Sequence, residues 1–152
     1  MKVKFNTATT QRPEGARTMN APVVTIDLFS FIDQIMKEKK WQETDRNAIT
    51  VYKTNGMSIV LIALHKGAEM TKHTTDGKTS IQVLEGKMQL NTDEQSVKLG
   101  KGQMVALHEG IAHSLVAKKK TVFLLTLTTT LTENPIINES FQKIQAKNNN
   151  NN

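Results

Sequence analysis

Between positions 47 and 128, apolar residues recur in short runs separated by glycine or by small polar clusters. Residues 48–53 and 57–65 flank Asn55-Gly56, a dipeptide suited to a two-residue hairpin turn. Further strand patterns fall at 80–85, 87–91, 96–99, 103–107, 112–116 and 122–128. Asp76-Gly77, Gly86, Gly100-Lys-Gly102 and Glu109-Gly110 are among the turns around them. Many short strands at such spacing predict an antiparallel sandwich or barrel. In 59–64 and 122–127 both faces are apolar. One face can fill the interior, while the other needs a cover, either a helix or a second subunit.

The pattern upstream is different. Val23-Val-Thr-Ile26 is β-branched enough to predict a short strand. Asp27 is placed to cap a helix that carries Leu28, Phe31, Ile32, Ile35 and Met36 on one face and runs to about Trp41, with Lys37, Lys39 and Lys40 favourably placed at its negative end. Residues 1–20 are polar and lack periodicity, with Arg12-Pro-Glu-Gly15 as a loop signal, and are expected to be flexible or draped over the domain. The resulting division is a flexible segment 1–20, a strand–helix extension 21–46 and a β-barrel 47–130. A weakly helical segment 131–147 and a disordered asparagine run 148–152 follow.

Composition narrows the function classes. A chain of 152 residues fits one domain, and the absence of cysteine excludes disulfides, thiolate metal sites and cysteine nucleophiles. No apolar run approaches the ~20 residues of a membrane helix, and no apolar core follows the basic N-terminus as in a signal peptide, so a cytoplasmic protein without a membrane partner is expected. The net charge of +6 invites a nucleic-acid reading. The clustered lysines at 37–40 and 118–120 are better read as solvated surface, because aromatics are only 5% of residues and offer few stacking platforms. His108-Glu109-Gly-Ile-Ala-His113 is not a zinc-protease signature, which needs its histidines four apart on one helical face.

Two Gly-punctuated stretches carry three of the four histidines. The first is Gly67-Ala-Glu-Met-Thr-Lys-His73-Thr-Thr75-Asp-Gly77-Lys-Thr79-Ser-Ile-Gln82-Val-Leu-Glu-Gly86; the second is Gly102-Gln-Met-Val-Ala-Leu-His108-Glu-Gly110-Ile-Ala-His113. Together they resemble the two motifs of the cupin superfamily, in particular its small single-domain bacterial members. The resemblance implies an all-β, antiparallel jelly-roll barrel preceded by a short helix. It also implies a metal site built from three histidines and a glutamate. Position by position, His73 and His113 match the first and last of these ligands, while Thr75 and Thr79 stand where the second histidine and the glutamate would be. The first motif is therefore reduced.

Two candidate ligands at most, His73 and His113, survive for a metal, which implies no firmly held cofactor and at most a weakly bound divalent transition metal. Gln82 could add an amide oxygen and Glu69 a carboxylate, although strand alternation points Gln82 away from Thr79. His73, Thr75, Thr79, Gln82 and His113 are the expected pocket residues. The expected function is a binding or sensing module for a small molecule. The alternative is a metal-dependent oxygenase or isomerase of a small polar metabolite. A homodimer is expected from the doubly apolar strands and from the way cupins pair, with 23–26 as the participating segment.

Overall fold

The computed structural model describes residues 3–9, 12 and 15–129. The expectations for 131–147 and 148–152 lie outside them, as does position 130. A small ribbon comes first, made of β1 (Lys4–Asn6) and β2 (Arg17–Asn20). Two short helices follow, α1 (Leu28–Lys37) and α2 (Lys39–Glu43). The remaining strands are β3 (Arg46–Thr54), β4 (Met57–Leu64), β5 (Glu69–His73), β6 (Thr79–Glu85), β7 (Lys87–Thr92), β8 (Ser96–Gly100), β9 (Met104–Leu107), β10 (His113–Ala117) and β11 (Thr121–Thr128).

These nine strands form two antiparallel sheets, in the orders β3-β4-β11-β6-β9 and β5-β10-β7-β8. They lie face to face as a jelly roll. Among the described residues no ladder of hydrogen bonds joins one sheet to the other, so the barrel has open seams.

Strand periodicity explains the layering. Ile62, Leu64, Ile81, Val83 and Phe123 of the larger sheet meet Met88, Leu90, Leu99, Leu115 and Ala117 of the smaller one in the interior. The other face of β3, β4 and β11 presents Ile49, Val51, Leu61, Ala63 and Val122 to Ile32, Ile35 and Trp41 of the helices. This double burial is why 61–64 is apolar without alternation. Ile35 is fully buried there, worth about 1.5–3 kcal/mol for a side chain of its kind. Asp27 caps α1 as its position predicts, accepting from the Ser30 amide at 3.3 Å.

Two expectations need correction. The helix is not continuous to Trp41: Glu38 is extended (φ −71°, ψ 146°) and separates α1 from α2. Its carboxylate is drawn instead to Arg12 (3.0 Å) and to the Asn47 side-chain amide (2.9 Å). Residues 23–26 form no strand, and Val23 is 82% exposed. The free edge of β3 that such a strand would pair with is already engaged, because Arg12 and Arg17 donate to the Ala48 and Thr50 carbonyls. The described part of residues 1–20 includes the β1–β2 ribbon, with β2 packed against β3.

Candidate ligand and metal site

β5 and β10 bring the two motif histidines together. Their register pairs His113 with His73 and Leu115 with Met70, so β5 uses three steps where β10 uses two. This is a β-bulge, and it reverses the alternation of β5 between Met70 and His73. Met70 packs against the interior cluster, so His73 is turned toward the same side instead of away from it. The two imidazoles lie with ring centroids 4.4 Å apart, tilted by 53°. His113 is buried, at 2% exposure, whereas His73 sits at the exposed rim.

Both rings are oriented in the same way. His73 Nδ1 is 2.9 Å from the Thr71 carbonyl oxygen, and His113 Nδ1 is 2.9 Å from the Ile111 carbonyl oxygen. A carbonyl can only accept, so each Nδ1 carries the proton and each neutral ring keeps its lone pair on Nε2. Imidazole ligands of metals are commonly oriented by this kind of second hydrogen bond. The pair thus leaves two Nε2 atoms uncommitted on neighbouring rings, each held by its own strand end.

The two threonines also meet, though with each other. Thr75 Oγ1 and Thr79 Oγ1 are 2.9 Å apart, and Thr75 Oγ1 lies 3.1 Å from the Gly77 carbonyl oxygen. Thr75 has one hydroxyl proton and donates it to that carbonyl, so Thr79 must be the donor in the bond between them. Buried Thr79 is satisfied this way without a metal. The loop that carries them passes close to the end of β11: a Cβ on Gly77 would stand 1.4 Å from the Thr128 carbonyl oxygen, so no other residue fits there. The Gly110 amide donates to the Thr75 carbonyl at 3.0 Å, tying the second motif loop to the first.

Gln82 is set elsewhere. On β6, Thr79, Ile81 and Val83 are buried, while half-buried Gln82 alternates with them and pairs across to Leu124 and Met104. Leu84 and Leu124 of that same face pack against the helix-side cluster, so Gln82 belongs to the outer surface of the sheet. Glu69 is exposed at the start of β5. Among the described residues no group of three or more His, Cys, Asp or Glu side chains is placed to hold a metal ion. A cleft of about 250 Å³ opens at the ends of β6, β9 and β11, lined by Lys78, Thr79, Ser80, Ala106, His108 and Thr126 among others; neither histidine of the pair lines it.

The other two histidines behave differently. His65 stacks on Trp41 (centroids 3.5 Å apart, planes within 13°), and its Nε2 bonds the Trp41 carbonyl at 2.8 Å. It fastens α2 to the end of β4. His108 is exposed, with Nδ1 3.9 Å from the Glu109 carboxylate.

The jelly roll with two motif loops at one end is shared with solved structures. A conserved protein of unknown function from Streptococcus pyogenes matches with a TM-score of 0.60 at 21% identity, over 75% of this chain and 94% of that one. A cupin superfamily protein from Desulfitobacterium hafniense matches with a TM-score of 0.57 at 13% identity, over 84% and 99%. The fold is that of a small cupin. Cupin neighbours include enzymes as well: a salicylate 1,2-dioxygenase from Pseudaminobacter salicylatoxidans matches with a TM-score of 0.62 at 20% identity, over 72% of this chain but 36% of the enzyme. No protein-family model and no curated protein matches the sequence. Among the described residues of this chain, no helix is long and apolar enough to cross a membrane.

What the sequence missed is mostly backbone. The bulge in β5 and the carbonyls that hold Nδ1 leave no side-chain signature. The tie between Thr75 and Gly110 is likewise main chain on both sides.

Proposed function

We propose that this cupin is a small-molecule binding module whose mouth is built from His73, His113, Thr75 and Thr79. The observation that carries the reading is the paired imidazoles: both Nδ1 atoms are engaged by carbonyls, and both Nε2 atoms are left for a ligand. The Thr75–Thr79 hydroxyl pair supports binding over catalysis, because neither position supplies an imidazole or a carboxylate. Two neutral nitrogens do not fit a tightly held catalytic metal, which generally has at least three protein ligands. They fit an ion held weakly, mostly coordinated by water, and such an ion supplies a Lewis-acidic contact for an oxygen-bearing ligand.

The second reading, a metal-dependent enzyme of a small polar metabolite, is favoured by the likeness to a dioxygenase and by the same imidazole pair. Metal analysis separates the two. Protein purified without chelator and dialysed against EDTA should lose its transition metal, and titration with Zn²⁺ or Ni²⁺ should then show weak, saturable binding that His113→Ala abolishes. A stoichiometric metal that survives the chelator would overturn the binding-module reading and favour the enzyme.

A further inference from the structure

A second polar cavity lies away from the histidines, at the outer edge of β3 beneath the β1–β2 ribbon. Its volume is about 350 Å³, and its lining includes Lys4, Arg12, Arg17, Lys53, Asn6 and Thr50, with no aspartate or glutamate among the described residues. Four cationic side chains from four separated stretches of sequence thus share one recess.

Their charges are not balanced within it. Arg12 is paired, with Nε 3.0 Å from the Glu38 carboxylate. Arg17 is not: its Nη1 donates to the Gly15 carbonyl and its Nε to the Thr50 carbonyl, each at 3.2 Å. Carbonyls satisfy the guanidinium protons but contribute no net charge. Burial, and then the neighbouring Arg12, hold the Arg17 pKa below the ordinary arginine value. Lys4 and Lys53 form no ion pair among the described residues. Glu38 offsets part of the arginine charge, yet among the described residues positive charge stays in excess around the cavity, and an anion entering it would turn the mutual repulsion into attraction.

We propose that this cavity binds a small phosphomonoester. A phosphate monoester carries a charge near −2 and three acceptor oxygens, which suits ammonium and guanidinium donors converging from several directions. A monocarboxylate would supply only a single negative charge. The cavity is larger than an inorganic phosphate ion needs, and Asn6 and Thr50 add polar lining for a hydroxylated carbon chain. The site is independent of the histidine mouth.

Calorimetric titration of the full chain at low salt tests the proposal, with glycerol 3-phosphate and ribose 5-phosphate as probes and with glycerol, ribose and acetate as controls. The phosphomonoesters should bind one per chain, the neutral polyols not measurably, and acetate more weakly than either ester. The double variant Lys4→Gln/Lys53→Gln removes two side chains that make no ion pair, so the fold should persist by circular dichroism. Ester affinity should fall about tenfold, because each exposed charge pair contributes up to a few-fold. His73→Ala should leave ester binding unchanged, which separates this site from the barrel mouth. Ester affinity unchanged in the double variant, or no ester binding by the wild-type chain, would overturn the proposal. So would a single-stranded oligonucleotide that displaces the ester and binds more tightly.

Discussion

His65 and the His73–His113 pair present the same side chain in two settings, and the difference lies in which nitrogen is engaged. In the helix-covered corner, His65 uses Nε2 on the Trp41 carbonyl while its ring face covers the indole. At the barrel mouth, both histidines use Nδ1 on a carbonyl two residues back in their own chain and keep Nε2 available. The first arrangement ties two elements together; the second leaves a ring nitrogen uncommitted. A buried histidine is therefore not by itself a site. The hydrogen bond that remains to be made decides its role.

The sharpest test of the mouth is to return ligands to it. Thr75→His with Thr79→Glu should raise Zn²⁺ or Ni²⁺ affinity by more than about 100-fold by calorimetry, since even outer-shell partners of metal ligands alter affinity 10- to 100-fold. An affinity unchanged by the double substitution would mean that these loop positions do not converge on the imidazoles.

The corner should respond in stability where the mouth responds in binding. His65→Ala removes the stack and the bond to Trp41 and should lower urea-unfolding stability by about 1–2 kcal/mol while leaving metal titration unaltered. His73→Ala, at the exposed rim, should do the reverse. If His65→Ala also abolished metal binding, the contrast between the two regions would fail.

Acid should loosen the corner as well. Burial pushes the Glu38 carboxyl up, but hydrogen bonds from Arg12, Asn47 and Gln34 outweigh it and hold its pKa below the ordinary value. A carboxyl depressed in the folded state stabilises fully above its unfolded pKa of about 4.3 and loses that stabilisation as pH falls through the lower folded value. Unfolding followed from pH 6 to pH 2 should therefore show a flatter acid limb in Glu38→Gln than in the wild type. Superimposable limbs would remove Glu38 from the account.

The smallest expected effect concerns association. α1 and α2 cover β3 and β4, while Leu84 and Leu124 remain half-buried and Met104 is 56% exposed on the same face. A homodimer through this uncovered part is expected, and light scattering that returns a single chain of 17.0 kDa at micromolar concentration would count against it.

Most strands could be read from the sequence because alternation and glycine punctuation coincide there, as at β6 between Gly77 and Gly86. β5 could not: Glu-Met-Thr-Lys-His has one apolar residue in five and pairs on one edge only, so its strand character comes from β10. The break at Glu38 escaped because its cause, Arg12 and Asn47, lies 26 and 9 residues away. Val23-Val-Thr-Ile26 has strand propensity, but the β3 edge it would join is engaged by Arg12 and Arg17, which shows how strongly β-propensity depends on context. The histidine pair was legible by spacing, whereas its tautomers were not. The cationic recess was invisible for a simpler reason. Clustered lysines attract notice in a sequence, but Lys4, Arg12, Arg17 and Lys53 converge only after folding.

The bond from the Gly110 amide to the Thr75 carbonyl has a bearing on how readily this mouth could be given new chemistry. It joins the two loops through atoms that every residue at position 75 would possess. The mounting is thus largely separate from what is mounted: a polar group exchanged for Thr75 keeps this main-chain tie and can take over the bond from the Thr79 hydroxyl, whereas an apolar one would strand it. A protein engineer, or natural variation, can sample different polar groups at this rim one substitution at a time with the tie between the loops still in place.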